Sequence, residues 1–183
     1  MKFRASIFWL GFSFFLLSYR QAPQLETSNE YKIKAVFLFN FSHYVEWPIN
    51  VLPEDNSPFV IGILGQDPFG PYLDETVQNE YIKKHPLIIK RFERVEQIET
   101  CHILYIIPSD KVEMKGALER LKSKNILTVS DASNFARLGG MIRLYTDANK
   151  TRIRINLSAV KNSELVMSSK LLRLADIVES QTH

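Results

Sequence analysis

The chain has 183 residues, 45% hydrophobic and 23% charged. That composition argues against a disordered or collagen-like polymer and suits one domain. The formal charge of +3 belongs to the N-terminus: residues 1–22 carry Lys2, Arg4 and Arg20 and no acid, which leaves 20 basic and 20 acidic residues in the body. A neutral body argues against wholesale nucleic-acid binding. A lone cysteine, Cys101, excludes an intrachain disulfide and a thiolate-rich zinc site.

Met1–Arg4 is short and basic, and Ala5–Leu17 runs 13 residues without a charge. A bilayer-spanning helix needs about 20 apolar residues, so the run reads instead as the apolar region of a secretory signal peptide over residues 1–22. No clean small-x-small cleavage site lies between Ser18 and Thr27. The other readings are a retained membrane anchor and a buried N-terminal helix. The folded domain is expected over residues 28–180.

Ser28–Trp47 reads as a helix, with Ile33, Phe37, Phe41, Tyr44 and Val45 at helical spacing and Val36 and Phe39 beside them. Ser28 or Asn29 suits its start, and Pro48 stops it. Leu52–Pro58 has loop composition. Phe59–Leu64 (FVIGIL) is a continuous apolar run of the kind that forms a buried strand. After Gly65-Gln66-Asp67, a helix capped by Asp67 with Pro68 in its first turn is expected to run to Val77.

Leu87–Phe92, His102–Ile107 and Ile126–Val129 are further strands, with Lys111–Ser123 a helix between the last two and a short helix near Ser133–Leu138. The pattern then changes. Met141–Tyr145 and Arg152–Leu157, joined by Asp147-Ala148-Asn149, read as an antiparallel hairpin with one apolar and one polar face. Ser158–Ser163 is a helical turn. Ser169–Val178 is expected as a terminal helix packing Leu171, Leu172, Leu174, Ala175 and Val178 inward. The sum is a single α/β domain: a mixed, mostly parallel sheet flanked by helices, a Rossmann-like sandwich with a C-terminal hairpin.

Familiar catalytic signatures are missing. Gly65, Asp67 and Gly70 do not make G-x-G-x-x-G. There is no phosphate-binding G-x-x-x-x-G-K-[ST] and no G-x-S-x-G elbow. His43, His85, His102 and His183 offer no i, i+4 pair for a metal. Cys101 and His102 are adjacent, so on a strand they point to opposite faces, a poor arrangement for an activated nucleophile. Cys101 reads as a small buried core residue or, if exposed, as a link between two chains. No catalytic residue, metal or cofactor is expected.

Two sets of residues remain as binding candidates. Ligands of α/β sheets sit beyond the carboxyl ends of the strands, where Gly65, Gln66, Asp67, Ser130 and Asp131 collect; Asp67 and Asp131 read more readily as helix caps. The polar face of the hairpin, with Arg143, Arg152 and Arg154, reads either as a docking surface or as a solvated strand face.

Several local signatures occur in order: Tyr31-Lys32-Ile33-Lys34-Ala35-Val36-Phe37-Leu38-Phe39-Asn40-Phe41, Tyr44-Val45-Glu46-Trp47-Pro48, and Ile61–Gly70. Cys101–Ile106, Leu127–Asp131, Phe135, Gly139–Ile142, Asn149, Arg152, Ile155-Asn156-Leu157 and Ser168–Ala175 follow. Together, from Tyr31 to Val178, the chain resembles the YfiR-like family of periplasmic bacterial proteins. The resemblance implies a compact α/β domain, often homodimeric, that regulates without catalysis. It implies binding to the periplasmic sensor domain of an inner-membrane diguanylate cyclase, or another membrane sensor protein, with repression of cyclic-di-GMP synthesis and biofilm. Asn40, Trp47-Pro48 and Arg152, within Asn-x-x-Arg, match family positions, although Trp47 also suits a packing anchor. Two departures stand out: Cys101 has no intrachain partner for a redox pair, and Arg154 stands where the family commonly has an acid before Ile-Asn-Leu. The rival reading is a periplasmic small-molecule-binding protein serving a sensor kinase or transporter.

Overall fold

The computed structural model describes residues 22–52, 56–122 and 124–179; the expected signal peptide thus lies outside the described residues except for Ala22. Helix α1 (Ala22–Tyr44) leads into a two-residue strand, β1 (Val45–Glu46). Then follow β2 (Phe59–Leu64), α2 (Tyr72–Val77), β3 (Tyr81–Ile82), β4 (His85–Phe92), β5 (Ile103–Ile106), α3 (Lys111–Leu121) and β6 (Leu127–Ser130). The chain closes with β7 (Ile142–Asp147), β8 (Lys150–Asn156), α4 (Leu157–Lys161), β9 (Val166–Met167), α5 (Ser169–Arg173) and β10 (Ala175–Val178). Eight strands form one sheet in the order β10-β8-β7-β6-β5-β2-β4-β3, while β1 and β9 pair separately.

Five adjacent strands, β7 through β4 in that order, are parallel. Antiparallel β3 adds one edge; β8 returns antiparallel beside β7, and β10 lies parallel to β8 at the other edge. Strand alternation sends odd and even positions of β2 to opposite faces, and both are covered. One face carries Phe59, Ile61, Ile63, Ile103, Tyr105, Val129, Leu144, Ile153 and Ile155, packed with Ala35, Leu38 and Phe41 of α1 and Leu73 of α2. The other carries Leu64, Leu104 and Ile106 against Met114, Ala117, Leu118 and Leu121 of α3 and Phe135. The architecture is therefore the expected single α/β domain with helices on both faces.

Gly62 sits in the crowded layer beneath α3: a Cβ there would lie 2.8 Å from the Cys101 sulfur and 2.8 Å from Leu104 Cδ1. Cys101 is 4% exposed. The burial that an interchain link would have to avoid is thus present. Loss of hydration pushes its thiol pKa up to about 12, so it is protonated at neutral pH.

Several sequence expectations need correction. The first helix begins at Ala22, so neither Ser28 nor Asn29 caps it, and it ends at Tyr44 because Val45 and Glu46 pair with Met167 and Val166. Its buried stripe is also rotated. Lys34, Ala35, Leu38, Phe41 and Ser42 face inward, while Ile33 and Val36 are 41% and 49% exposed. The helix expected from Pro68 starts at Tyr72; Asp67 instead accepts the Phe69 amide across a turn at 2.7 Å. Beside it, β3 extends the β4 edge over two residues too few to show alternation.

The largest correction is at the C-terminus. The helix stops at Arg173, and Ala175–Val178 runs as an edge strand because β8 offers unpaired backbone groups. Leu174 then faces out, at 74% exposure, rather than packing inward, and Ile177 of the strand is 45% exposed. The β7–β8 hairpin turns through Ala148 and Asn149, both at positive φ (46° and 59°), which suits the twist of the two strands.

Candidate functional site

At the carboxyl end of β6, Asp131 holds two layers together. Its carboxylate accepts from Lys34 Nζ at 2.6 Å and from the Tyr31 hydroxyl at 3.0 Å. Lys34 is 2% exposed and also pairs with Glu30 at 2.8 Å, one helical turn back. Burial alone would raise the Asp131 pKa, but the hydrogen bond and charge of Lys34 overcome that and hold it below its usual value. Tyr31 and Tyr105 move the other way: burial first, then the Asp131 charge, raises both phenol pKa values. The buried Tyr105 hydroxyl lies within electrostatic reach of Asp131 but completes no well-formed hydrogen bond among the described residues. Phe69 packs edge-on against both rings. Glu30, Tyr31 and Lys34 of α1 thus gather around Asp131.

Gly65, Asp67 and Ser130, also predicted at this edge, are occupied structurally, while Gln66 is exposed. Gly65 takes φ +100°, donates its amide to Phe92 O at 3.0 Å, and would place a Cβ 2.5 Å from Ile107 O. Asp67 also binds Arg91 Nε at 2.7 Å, and Arg91 forks onward to Asp74. Ser130 is fully buried; its hydroxyl donates to Ile106 O at 2.7 Å and accepts the Ala132 amide at 3.2 Å. Asp131 makes the longest-range links of this set, to residues 100 and 97 positions away.

On the opposite sheet face the hairpin arginines come together. Ile142, Leu144, Ile153 and Ile155 point toward α1, so Arg143, Tyr145, Arg152 and Arg154 point away from it. The register sets Arg143 directly across from Arg154, and Tyr145 across from Arg152. Like charges directly opposite are unfavourable. The Tyr145 ring lies beside both, 5.1 Å from Arg143 Cζ and 4.8 Å from Arg154 Cζ.

Asp176 of β10 adds a carboxylate: Tyr145 donates its hydroxyl to it, and Arg154 Nη2 lies 3.6 Å away. That hydrogen bond raises the Tyr145 pKa. Arg154 Nε is buried and has no hydrogen-bond partner among the described residues. Arg143 Nε donates to the Asp131 carbonyl at 3.4 Å. Burial lowers the Arg143 pKa, and Arg154 and Arg137 add repulsion. Arg152 is 52% exposed and sits 4.0 Å from Asp147. Asp131 therefore serves both faces, with its side chain on α1 and its carbonyl on Arg143.

Asn40 does not join either group. It is half-buried on α1, on the far side of the sheet from the arginines. Trp47 is a packing anchor, donating to His102 O at 3.2 Å and crossing Phe59 edge-on at 4.9 Å. His102 accepts the Val60 amide on Nδ1 at 3.0 Å, and Nε2 reaches Val51 O at 3.3 Å, so the ring is neutral. It is turned away from the Cys101 sulfur, which contacts Ile103 O at 3.0 Å.

Sequence reasoning missed Lys34, Tyr31 and Glu30, whose spacing of three and four residues on one helix was the available signal. It also missed Tyr145 and Asp176, the latter because its segment read as helix.

These features define a three-layer α/β domain with one satisfied buried charge cluster and one half-buried arginine face. The chain belongs to the YfiR/HmsC-like family, whose model matches residues 31–176. That family is one of periplasmic regulators of diguanylate cyclases rather than enzymes. A search of curated proteins returns no match. Among the described residues, no helix is long and apolar enough to cross a membrane, and no group of three or more His, Cys, Asp or Glu residues is placed to hold a metal.

Proposed function

We propose that this chain is exported by a signal peptide at residues 1–22, acts in the periplasm as a domain spanning residues 28–180, and forms a homodimer. It binds the periplasmic sensor domain of an inner-membrane diguanylate cyclase through the Arg143–Arg152–Arg154 face. A protein that binds only the inactive state of a receptor lowers its output by the difference in affinity between the two states. Docked this way, the chain represses cyclic-di-GMP synthesis and the biofilm that depends on it.

The supporting observation is the half-buried arginine and tyrosine cluster, which has the residue types that dominate interface energetics. The test is deletion and complementation in the source bacterium. Deletion should raise cyclic-di-GMP, and the wild-type chain should restore it, whereas Arg143→Glu/Arg154→Glu should not. Recovery of a transporter permease without a cyclase or kinase in membrane pull-downs would overturn the reading.

One cavity favours the second reading, a periplasmic small-molecule-binding protein. About 210 Å³ lies between the ends of β2, β4 and β5, lined by Leu64, Arg94, Ile106, Glu113 and Arg120 among others. Here strands β4 and β5 leave β2 on opposite sides, the place where α/β sheets bind ligands. The volume suits only a small ligand.

A further inference from the structure

We propose that the arginine face recognises carboxylates on an acidic segment of the partner protein, and that Asp176 is an internal competitor for it. This rests on the docking reading above and specifies its chemistry. The face is already arranged around one carboxylate. Tyr145 donates its hydroxyl to Asp176, and Arg154 approaches it at 3.6 Å, so donors from two strands converge on a single acid. That acid is supplied from the four-residue edge strand β10 and is 58% exposed, a position from which it can be displaced.

The donors exceed the acid available. Arg143 faces Arg154 across the ladder, Arg137 is close enough to repel Arg143, and Arg154 Nε has no acceptor among the described residues. The hydrogen bond from Arg143 to Asp131 ends on the carbonyl; the Asp131 carboxylate is bonded to Lys34 on the far face and acts on Arg143 only as a charge at longer range. Packing against Tyr145 holds both guanidinium groups in place before a partner arrives, which reduces the ordering cost of binding.

A protein segment suits the site better than a membrane surface. The body of the chain carries 20 basic and 20 acidic residues, so no net charge draws it to anionic lipid. The Arg154 side chain is also recessed, at 29% exposure, within reach of a carboxylate on a side chain.

The experiment is fluorescence anisotropy of a labelled hexaglutamate peptide with the purified chain, with hexaglutamine and hexalysine peptides and phosphatidylglycerol vesicles in parallel. Hexaglutamate should bind in a salt-dependent way, and the two control peptides should not. Arg143→Ala or Arg154→Ala should weaken it about tenfold, the loss of one charge-assisted contact. Asp176→Asn should strengthen it several-fold, while Lys32→Ala, at an exposed position of α1 across the sheet, should leave it unchanged. Thermal unfolding identifies any variant that does not fold, and the exposed Arg152→Ala then supplies the loss-of-binding arm.

Opposite signs for the arginine and Asp176 variants separate competition from a structural strap. Weakening by Asp176→Asn, or vesicle binding without hexaglutamate binding, would overturn the proposal. Unchanged affinity across the arginine variants would also overturn it while leaving the docking reading intact. Hexaglutamate binding that obeys these signs, in a chain whose deletion leaves cyclic-di-GMP unchanged, would uphold the site and overturn the docking reading.

Discussion

The two faces of the sheet beside Asp131 treat charge in opposite ways. Toward α1, Lys34 is buried and enclosed by Asp131, Glu30 and the Tyr31 ring, so its cost of leaving water is offset on the spot. Away from α1, Arg143 and Arg154 are held across from each other with one carboxylate beside them. The first arrangement is closed and belongs to the fold. The second leaves donors unfilled, as the docking proposed above requires. The contrast is thus between a buried charge that is satisfied and a half-buried pair that is not.

The sharpest way to break the comparison is Asp131→Ala. It strips Lys34 of its shortest partner and should cost about 3 kcal/mol of stability in urea unfolding. A cost below about 1 kcal/mol would mean that Glu30 alone satisfies Lys34. Lys34→Met/Asp131→Leu, which removes both charges, should recover most of the loss.

Acid gives the next effect. Because Lys34 holds the folded-state pKa of Asp131 below the 3.8 of a free carboxyl, its contribution is present above about pH 4 and is lost as pH falls through the depressed value. Asp131→Asn should flatten that part of the stability profile. His102 acts at higher pH. Burial lowers its pKa below 6.5, so the folded state resists a proton that the unfolded chain accepts. Stability should therefore decline as pH falls below about 6.5, and His102→Gln should remove that decline.

Arginine variants sharpen the contrast from the other side. Arg143→Ala and Arg154→Ala should each change stability by less than about 1 kcal/mol, because each removes repulsion along with contacts. In the same proteins partner binding should fall about tenfold. Matching losses in both assays would make this face structural as well. The smallest effect belongs to the turn that presents the arginines: Ala148→Gly relieves a non-glycine residue at φ 46° and should raise the unfolding midpoint by an amount equivalent to about 0.5 kcal/mol.

Much of this architecture was legible in the residues. Phe59–Leu64 is apolar at every position and bounded by Pro58 and Gly65, so a strand buried on both faces was its natural reading. The alternation in Arg152-Ile153-Arg154-Ile155 likewise set which hairpin residues face the core. Ser169–Val178 was ambiguous because its leucines sit at helical spacing, and the open edge of β8 decided its second half. The stripe on α1 was misplaced for another reason: hydrophobic periodicity assigns a lysine to solvent, yet Lys34 lies inside because Asp131, 97 residues away, meets it there.

The amino-acid sequence by itself determined the α/β class, the strand cores and the inward phase of the hairpin, because those follow from the local spacing of apolar side chains. Only the tertiary structure decided which charges meet: Lys34 with Asp131, Arg143 with Arg154, and Asp176 with Tyr145. Such pairings depend on strand order and register, which bring residues far apart in the chain to within a few ångströms, and no local pattern encodes that proximity.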